Sequence, residues 1–244
     1  MKHLLLPLVI SLALAVTLQA DMSELKKRAF SASKVKAEQG DPNAQFSLGG
    51  IYYQGIVAEK DYAKAIEWYT KAAEQGHTEA QYNLGYMYYD GRGVSVDYPK
   101  AYHWFELAAD DGDVKAQLYL ARMNYEGQGV EQNYEKAFHW YKNVADETNH
   151  AKAQERVGHM FRRGLGVARN KEMAKYYLEK SSNQSCGEAQ YELGDMYLEE
   201  GDVHEDEAKQ LMQEAYLNGI PKAKEVMDEH QWEPIKDTKT MPEE

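Results

Sequence analysis

The sequence predicts an all-α fold made of about five tandem helix-turn-helix repeats of 36 residues, that is, an α/α solenoid. The main observation is an Ala-Gln dipeptide that recurs along the 244-residue chain. Its five copies are Ala44-Gln45, Ala80-Gln81, Ala116-Gln117, Ala153-Gln154 and Ala189-Gln190. Successive copies are 36 or 37 residues apart, and each is followed by a similar order of apolar, small and aromatic residues. Such self-similarity is typical of one supersecondary unit repeated in space.

Each repeat is predicted to contain two amphipathic helices. In the second repeat the apolar stripe of the first helix comprises Ala80, Leu84, Met87 and Tyr88, and that of the second helix comprises Tyr98, Ala101, Phe105 and Ala108. Both sets follow the spacing of one helix face. Glycine also recurs within the first helices, at Gly49, Gly85, Gly158 and Gly194. Because glycine costs a helix up to ~1 kcal/mol relative to alanine, we expect close backbone contacts at these positions.

A Gly-x-Gly motif, Gly91 and Gly93, stands between the two helices of the second repeat and has two interpretations. One is a phosphate-binding loop, but a dinucleotide fingerprint needs a strand before its glycines, and here a helix precedes them. The other is a helix terminus, where Gly91 adopts the left-handed conformation that glycine takes most readily. The return of the motif at Gly127 and Gly164 favours the helix terminus.

The consensus of the copies carries a resemblance to a known family. It reads Ala-Gln-x-x-Leu-Gly-x-x-Tyr-x-x-Gly-x-Gly-Val, followed by Asp-Tyr-x-Lys-Ala-x-x-Trp-Tyr-x-x-Ala-Ala. This pattern resembles the Sel-one-like repeat (SLR) family, which is related to the tetratricopeptide repeats, over about residues 37–224. The resemblance implies a right-handed superhelix whose first helices line a concave face, used as an adaptor for other proteins. Some exported bacterial members bridge each helix pair with a disulfide, and this chain lacks those cysteines.

The remaining segments give a predicted domain organisation. Residues 1–20 resemble a secretory signal peptide, with Lys2 and His3 before an apolar run and cleavage expected after Ala20. Residues 21–40 are predicted to form a lone N-terminal capping helix, and residues 41–231 the repeat domain, with Asp41 as its first N-cap. Residues 232–244 are predicted to be a polar, flexible tail, although Trp232 leaves open a return onto the last repeat.

Composition excludes several classes of partner. The chain has 28 Lys and Arg against 40 Asp and Glu, a net charge of -12, which argues against binding to nucleic acid or an anionic membrane. No membrane span is expected once the signal is removed. The single cysteine, Cys186, cannot form an internal disulfide, and an incidental surface thiol is the favoured interpretation. The signal and the repeat family together predict the periplasm, with secretion as the second choice.

A search for catalytic or metal-binding patterns favours a protein without either. The segment from His204 to Ala208 departs from the zinc motif H-E-x-x-H, since Ala208 stands where the second histidine is needed. Glu67, His103 and His139 share one repeat position, but neighbouring helices are too far apart to join them around one ion, which favours a solvated helix face. We therefore predict no catalytic residues, no metal and no cofactor.

The positions of the first helix that differ among the copies predict where a partner binds. These positions follow i, i+3, i+7 and so share one helix face. Along that face lies an aromatic and basic group, named here the predicted binding strip: Tyr86, Tyr119, Arg122, Arg156, His159 and Arg163. We expect the strip to grip an extended or acidic segment of another protein. The competing interpretation is that its arginines neutralise Glu155, Glu192 and Asp195 between adjacent repeats.

The function predicted from these observations is that of a non-catalytic, exported repeat adaptor acting through protein-protein interaction. Two alternatives stay open. One is a binder or hydrolase of a cell-wall fragment or β-lactam, which would need a closed pocket with convergent polar groups. The other is a regulatory subunit that holds a membrane sensor inactive, which shares the binding mechanism and differs in its partner.

Overall fold

The computed structural model describes residues 24–25 and 27–233, in which all regular secondary structure is helical. The predicted signal peptide at residues 1–20 and the tail beyond residue 233 lie outside the described residues. The helices are α1 (27–38), α2 (Pro42–Gln54), α3 (Tyr62–Ala73), α4 (Thr78–Asp90), α5 (Tyr98–Asp110), α6 (Val114–Glu126), α7 (Tyr134–Glu147), α8 (Ala151–Arg163), α9 (Lys171–Ser182), α10 (Gly187–Leu198), α11 (Glu205–Leu217) and α12 (Pro221–Glu229). A short 3₁₀ turn, Asp202–His204, precedes α11.

The chain divides into two compact units, Met1–Ala116 and Gln117–Glu244, with the boundary inside α6. In the first unit α2 packs against α3 and α4 against α5, while α3 also contacts α4. In the second unit α8 packs against α9 and α10 against α11, while α7 contacts α8, α9 contacts α10 and α11 contacts α12. Within their units, the second helices α3 and α9 thus pack against the first helix of their own repeat and against the first helix of the next repeat. The predicted fold class, an all-α array of helix-turn-helix repeats, is confirmed.

Side chains at the helix starts explain where the helices begin. Before α3, Asp61 Oδ1 accepts a hydrogen bond from the backbone N–H of Lys64 at 3.0 Å, and Asp97 does the same before α5. Asp41 is the predicted N-cap of α2, and its Oδ1 accepts from the Ala44 N–H at 2.8 Å. Each bond satisfies one of the backbone donors that a helix start leaves without a partner. The Asp-Tyr-x-Lys-Ala phrase of the repeat is therefore a capping signal.

The two glycines of the Gly-x-Gly motif have different roles. Gly91 ends α4 in the left-handed conformation, with φ of 72°, as predicted. Gly93 also has positive φ, and in addition a Cβ at this position would collide with the Cβ of Tyr62, the first residue of α3. The first glycine therefore terminates the helix, whereas the second lets the loop rest against the preceding repeat.

Helical glycines provide space for large side chains within each repeat. A Cβ on Gly85 would lie 2.8 Å from the ring of Phe105, and a Cβ on Gly49 would lie 2.6 Å from the ring of Tyr69. The prediction of close contact is confirmed, and at these two glycines the contacting groups are aromatic rings. At Gly158 and Gly194 a Cβ would meet an aliphatic side chain and also a backbone carbonyl oxygen, that of Ala174 at 3.1 Å and that of Ala208 at 3.4 Å. Phe105 is fully buried, whereas the preceding Trp104 is only half-buried. The second residue of the Trp-aromatic pair is thus the core residue.

The glutamine of each Ala-Gln pair is a buried polar link between helices. Gln45 donates to the carbonyl oxygen of Ala37 at 3.1 Å, and its own Oε1 accepts from Gln75 at 2.7 Å. Gln81 donates to the carbonyl oxygen of Ala73 at 3.3 Å, but its Oε1 is buried without a hydrogen-bond partner. The residue that corresponds to Gln75 is here Asp111, whose ionised carboxylate has no proton to donate.

Both ends of the described array are covered by apolar contacts. In α1, Ala37 and Phe30 pack with Ala44, Leu48 and Tyr52, as expected for a capping helix. At the other end Trp232 is buried in a cluster with α11 and α12, and its backbone N–H donates to the Met227 carbonyl oxygen at 2.8 Å. The return of Trp232 onto the last repeat is confirmed, and this residue belongs to the packed end rather than to a flexible tail.

The glycine beneath Tyr69 gives a test that uses two neighbouring positions. We expect Gly49→Ala to lower the free energy of unfolding by about 1 to 3 kcal/mol, because the new methyl group overlaps the ring. The matched control is Gly50→Ala, whose Cβ would lie 3.6 Å from the Tyr69 hydroxyl, an ordinary contact. There we expect a gain of up to ~1 kcal/mol from helix propensity. Urea unfolding measures both, and equal effects of the two substitutions would contradict the packing argument.

The unpartnered oxygen of Gln81 gives a second test. We expect Asp111→Gln to raise the free energy of unfolding by about 1 kcal/mol, because the new amide can donate to Gln81 Oε1 as Gln75 donates to Gln45. Loss of a negative charge at the C-terminal end of α5 also contributes. Asp110→Gln removes the same charge at the same helix end without placing a donor at that position. If the free energy of unfolding rises no more than it does in Asp110→Gln, the hydrogen bond from the new amide group to Gln81 Oε1 does not form.

Candidate functional site

Three of the four basic members of the predicted binding strip lie on α8 in the second unit. Arg156, His159 and Arg163 follow each other at intervals of three and four residues, so they project from one face of this helix. The start of α8 is fixed by His150, whose Nδ1 accepts the backbone N–H of Ala153 at 3.2 Å. Because α8 contacts α10 as well as α7 and α9, its basic face lies beside the first helix of the following repeat.

A first cavity of about 380 Å³ is lined by residues of α6, α7, α8 and His150, the N-cap of α8. Its lining residues are Leu118, Arg122, Tyr125, Glu126, Tyr141, His150, Lys152 and Arg156. The guanidinium of Arg156 lies over the ring of Tyr125, 5.7 Å from its centre, and Arg122 Nε donates to Glu126 at 3.0 Å. Burial raises the pKa of Tyr141 to about 12, so its hydroxyl stays protonated at neutral pH. The cavity thus combines aromatic walls with two arginines.

A second cavity, of about 420 Å³, lies along α8 and α10. Its lining residues are Lys152, Glu155, Arg156, His159, Arg162, Arg163, Glu188, Tyr191, Glu192, Asp195, Ile220 and Lys222. His159 Nδ1 is 2.6 Å from Glu192 Oε1, which ties α8 to α10. Lys152 lies 2.9 Å from Glu155 and 3.4 Å from Glu188. Charges of both signs therefore converge on one cavity.

Two carboxylate oxygens of the second cavity lack hydrogen-bond donors. Glu155 is 3% exposed, Glu192 also lines the cavity, and the Oε2 atom of each is buried without a hydrogen-bond partner. Lys152 and Arg156 approach Glu155 Oε2 at 2.9 and 3.5 Å. These distances allow electrostatic attraction, but the angles do not meet hydrogen-bond geometry, so the oxygen is charge-compensated and still lacks a directed donor.

Arg162 is a site residue that the sequence analysis missed. Its side chain is buried, and Nη2 donates to Asp195 at 2.5 Å and to Glu199 at 2.7 Å, while Nη1 reaches the Glu192 carbonyl oxygen at 3.4 Å. Burial acts to lower the pKa of Arg162, but the two carboxylates raise it overall. The hydrogen bond from Arg162 lowers the pKa of Glu199. Arg162 therefore ties α8 to the last turn of α10.

A signal for Arg162 was present in the sequence. Counted from the Ala-Gln pair, the corresponding positions in the first three repeats are Tyr53, Tyr89 and Tyr125. The position is aromatic in these three repeats and leucine, Leu198, in the fifth. Arginine there, followed one repeat later by acidic residues, indicates a charged link in place of apolar packing. Tyr125 and Tyr141, which line the first cavity, were missed because their positions are aromatic in each of the first three repeats.

The two tyrosines of the predicted binding strip are not among the lining residues of the two cavities beside α8. Tyr86 is in the first unit, where it lines a cavity of about 260 Å³ with Tyr53, Gln54, Tyr69, Tyr82 and Asn83. Arg92, which was not predicted, donates to the hydroxyls of Tyr53 and Tyr86 at 2.5 and 3.2 Å. Tyr119 is half-buried on α6, and the lining of the first cavity includes Arg122 from this helix but not Tyr119.

The competing interpretation was that the arginines of the strip neutralise Glu155, Glu192 and Asp195. In the structure these carboxylates contact a partly different set of basic residues. Each of the three carboxylates has a basic neighbour: His159 for Glu192, Arg162 for Asp195, and Lys152 with Arg156 for Glu155. From the arginines of the predicted binding strip, Arg156 takes part through its contact with Glu155. Arg163 is exposed at the edge of the second cavity. Arg162 therefore forms ion pairs with the next repeat, and His159 adds a close polar contact to Glu192.

The other residues considered for chemistry lie apart from these cavities. Glu67, His103 and His139 are exposed on second helices. Over residues 24–25 and 27–233, no group of three or more His, Cys, Asp or Glu side chains is placed to hold a metal ion. In the same range no helix has both the length and the apolar character needed to cross a membrane. Cys186 precedes α10 and its Sγ lies 3.7 Å from Glu188.

Comparison with known proteins places these features in a family. The Sel1 repeat model matches residues 42–77, 78–113, 114–148, 151–186 and 187–220. The crystal structure of a Sel1 repeat protein from Oxalobacter formigenes is 33% identical, covers 78% of this chain and 76% of that chain, and superposes with a TM-score of 0.66.

Two further relatives match less of their own length. The structure of c5321, a protective antigen of uropathogenic Escherichia coli with an SLR fold, is 29% identical with a TM-score of 0.64 and covers 85% of this chain and 53% of that chain. The sel1-like repeat-containing protein L18 of Acanthamoeba polyphaga mimivirus is 50% identical over 40 residues, which are 16% of this chain and 7% of that protein. With five matched repeats and a closely similar solved structure, the chain belongs to the Sel1 repeat family.

Proposed function

We propose that the chain is an exported, non-catalytic adaptor that binds an extended, acidic segment of another protein at the first helices of its repeats. Sel1 repeat proteins generally serve as scaffolds for protein-protein interaction. The proposal adds to this the binding face, the charge of the bound segment and the compartment. The predicted signal peptide at residues 1–20 supports the periplasm, with secretion as the second choice.

The observation that carries the proposal is the distribution of basic side chains around the two cavities of the second unit. Arg156 lines both cavities, Arg122 lines the first, and Arg163 lies exposed at the edge of the second. These arginines are concentrated on α6 and α8 in a chain whose net charge is -12. An acidic segment crossing from one cavity to the other would meet arginine throughout, and arginine binds carboxylates with two parallel hydrogen bonds.

Aromatic walls supply the other half of a protein-binding surface. Tyr125 and Tyr141 line the first cavity beside Arg156, and Tyr with Arg are the residues that most often dominate binding energy at interfaces. In the first unit the cavity beside Tyr86 has four tyrosines and contributes a further aromatic surface of its own. Tyr119 on α6 stays within the proposal as a residue beside the first cavity's Arg122.

The proposal separates arginines that bind a partner from the arginine that holds the repeats together. Arg162 is buried and fully engaged with Asp195 and Glu199, so its role is structural. Arg163 is the next residue in the chain, yet it is exposed and lines the cavity. Because exposed substitutions usually change stability by less than about 0.5 kcal/mol, Arg163 can be altered without disturbing the fold.

The adaptor function is tested by crosslinking in cells. A photoreactive phenylalanine analogue replaces Tyr119, and the same analogue at the exposed Glu172 of α9 serves as the position control. We expect a discrete protein adduct from Tyr119 only. In the Tyr119 background, Arg163→Glu should lower the adduct yield about fivefold or more through repulsion of the acidic segment.

The charge control for this experiment is Arg169→Glu, an exposed arginine in the loop between α8 and α9. We expect this substitution to leave the yield unchanged and both variants to keep the Tm of the parent chain. An unchanged yield in Arg163→Glu would contradict the proposed site. A loss of yield accompanied by a lower Tm would assign the arginine to stability instead.

The structural role of Arg162 predicts a specific pH dependence. Since Arg162 lowers the pKa of Glu199 in the folded state, the bond stabilises the protein above the unfolded pKa of about 4.3 and is lost as pH falls through the folded value. Compared with the parent, Glu199→Gln should lower the Tm by about 1 to 3 °C at pH 7, since the carboxylate is partly exposed. The difference should vanish during acidification below about pH 4.

Thermal unfolding followed by circular dichroism between pH 7 and pH 3 measures this difference. Glu172→Gln, at an exposed carboxylate on α9, is the matched control and should leave the Tm nearly unchanged throughout. A difference for Glu199→Gln that persists at pH 3 would show that the charge of the carboxylate is not its cause.

A further inference from the structure

The start of α8 is capped by a histidine, which can accept a hydrogen bond only while its ring is neutral. His150 Nδ1 accepts the backbone N–H of Ala153 at 3.2 Å. At the equivalent starts of α2 and α6 the acceptor is a carboxylate oxygen, from Asp41 and Asp113, at 2.8 Å. A neutral imidazole keeps one ring nitrogen as an acceptor, whereas both nitrogens of the protonated ring are donors. Uptake of a proton at His150 Nδ1 therefore removes the acceptor of this cap.

A second histidine cap, at the start of α4, has a different neighbour. His77 Nδ1 accepts the backbone N–H of Ala80 at 3.4 Å, and Glu79 Oε2 lies 3.3 Å from the same ring nitrogen. A protonated His77 therefore has a carboxylate beside it. In the α8 repeat the position of Glu79 is taken by Lys152. Over residues 24–25 and 27–233, His150 forms no ion pair with a carboxylate, so its protonated ring would gain no such partner.

The charged groups around His150 oppose a positive charge on its ring. The titratable side chains that line the first cavity with it are Arg122, Tyr125 and Glu126 from α6, Tyr141 from α7, and Lys152 and Arg156 from α8. Glu126 already accepts from Arg122 at 3.0 Å, and Glu155 of α8 and Glu188 of α10 lie 2.9 and 3.4 Å from Lys152. From α9, the uncharged Ser181 and Gln184 contact the residues on either side of His150. A protonated His150 would thus face three cations and the positive end of the α8 dipole.

We infer that His150 is a pH-sensitive cap, which fixes the start of α8 at the first cavity only while its imidazole is neutral. An unperturbed histidine takes up its proton near pH 6.5, so the change falls within the physiological range. When the protonated ring leaves the cap, the first turn of α8 loosens, and this turn carries Lys152, which lines both cavities. The inference goes beyond the proposed function, because the switch needs no bound partner.

The direction of the pH dependence follows from proton uptake in the two states. The folded chain with its cap intact binds no proton at His150 Nδ1, whereas a histidine in the unfolded chain binds one as pH falls through about 6.5. Because the unfolded state binds more protons, the free energy of unfolding decreases as pH falls through this range. The stabilisation by the cap is therefore fully present above the range and is lost progressively below it.

Two substitutions at His150 give the capped and uncapped limits for a test by thermal unfolding. Asparagine does not titrate and already caps α7 and α9 at Asn133 and Asn170, whereas alanine has no side-chain acceptor. We expect the Tm of His150→Asn to exceed that of His150→Ala by about 2 to 4 °C from pH 7.5 to pH 5.5, the effect of one cap in a chain of this size. The parent should match His150→Asn at about pH 7.5 and move most of the way to His150→Ala at about pH 5.5. All other titrating groups are common to the three chains.

The backbone amide resonance of Ala153 in NMR spectra reports the cap directly, because this amide is the donor to His150. In the parent we expect its chemical shift to titrate together with the His150 ring. In His150→Asn it should stay constant over the same pH range. The matched control within each chain is the Ala116 amide, whose acceptor is the Asp113 carboxylate, and its shift should not follow the titration of His150.

Three results would overturn the inference. The first is a parent Tm that keeps the same difference from both variants between pH 7.5 and pH 5.5. The second is an Ala153 resonance that does not change while the His150 ring titrates. The third is a Tm of His150→Asn no higher than that of His150→Ala, since no cap would then form at this position. Because no partner protein is present, these outcomes are independent of the crosslinking result, and either proposal can fail while the other holds.

Discussion

The close packing of two helices within each repeat is the constraint on which the rest of the structure depends. In the first two repeats an aromatic ring lies where the glycine of the first helix has no Cβ, as Phe105 does at Gly85. This contact sets how closely the two helices of a repeat can pack. Because α3, α7 and α9 also pack against the first helix of the following repeat within their own unit, the same spacing continues along each unit. The neighbouring positions of α8 and α10, and with them both sides of the second cavity, follow from this packing.

Buried polar groups add a second constraint. The glutamine of each Ala-Gln pair is buried, so its amide must find partners from neighbouring helices, as Gln45 does from Ala37 and Gln75. Where the repeat copies differ in sequence, the hydrogen bonds and ion pairs of their buried polar groups differ as well. Asp111 leaves Gln81 with an unpartnered oxygen, and Arg162 replaces an aromatic residue by a charged link. The second cavity lies where this divergence is greatest, which suits a site that is specific to this chain.

The sequence alone predicted the repeat, the helix pairs and the helix-ending role of Gly91, because these depend on local periodicity and backbone preference. It did not predict that Gly93 rests against Tyr62, since that contact joins residues of successive repeats. In the site, variation among the copies selected Arg156 and Arg163, which do line a cavity. It missed Arg162, because one helix's periodicity does not show which arginine faces the following helix. The binding role of the selected residues stays a prediction.

The contact between Gly93 and Tyr62 makes the repeat array directional. The loop of one repeat lies on the start of the second helix in the repeat before it, and Gly166 makes the same kind of contact with Tyr134. In the first matched repeat the corresponding position is Val57, where α1 rather than another matched repeat comes before. A valine there would collide with a tyrosine if this repeat were moved to an interior position. The repeats are therefore not interchangeable, because Val57 in the loop of the first matched repeat leaves no room for a preceding repeat to pack as Tyr62 packs against Gly93.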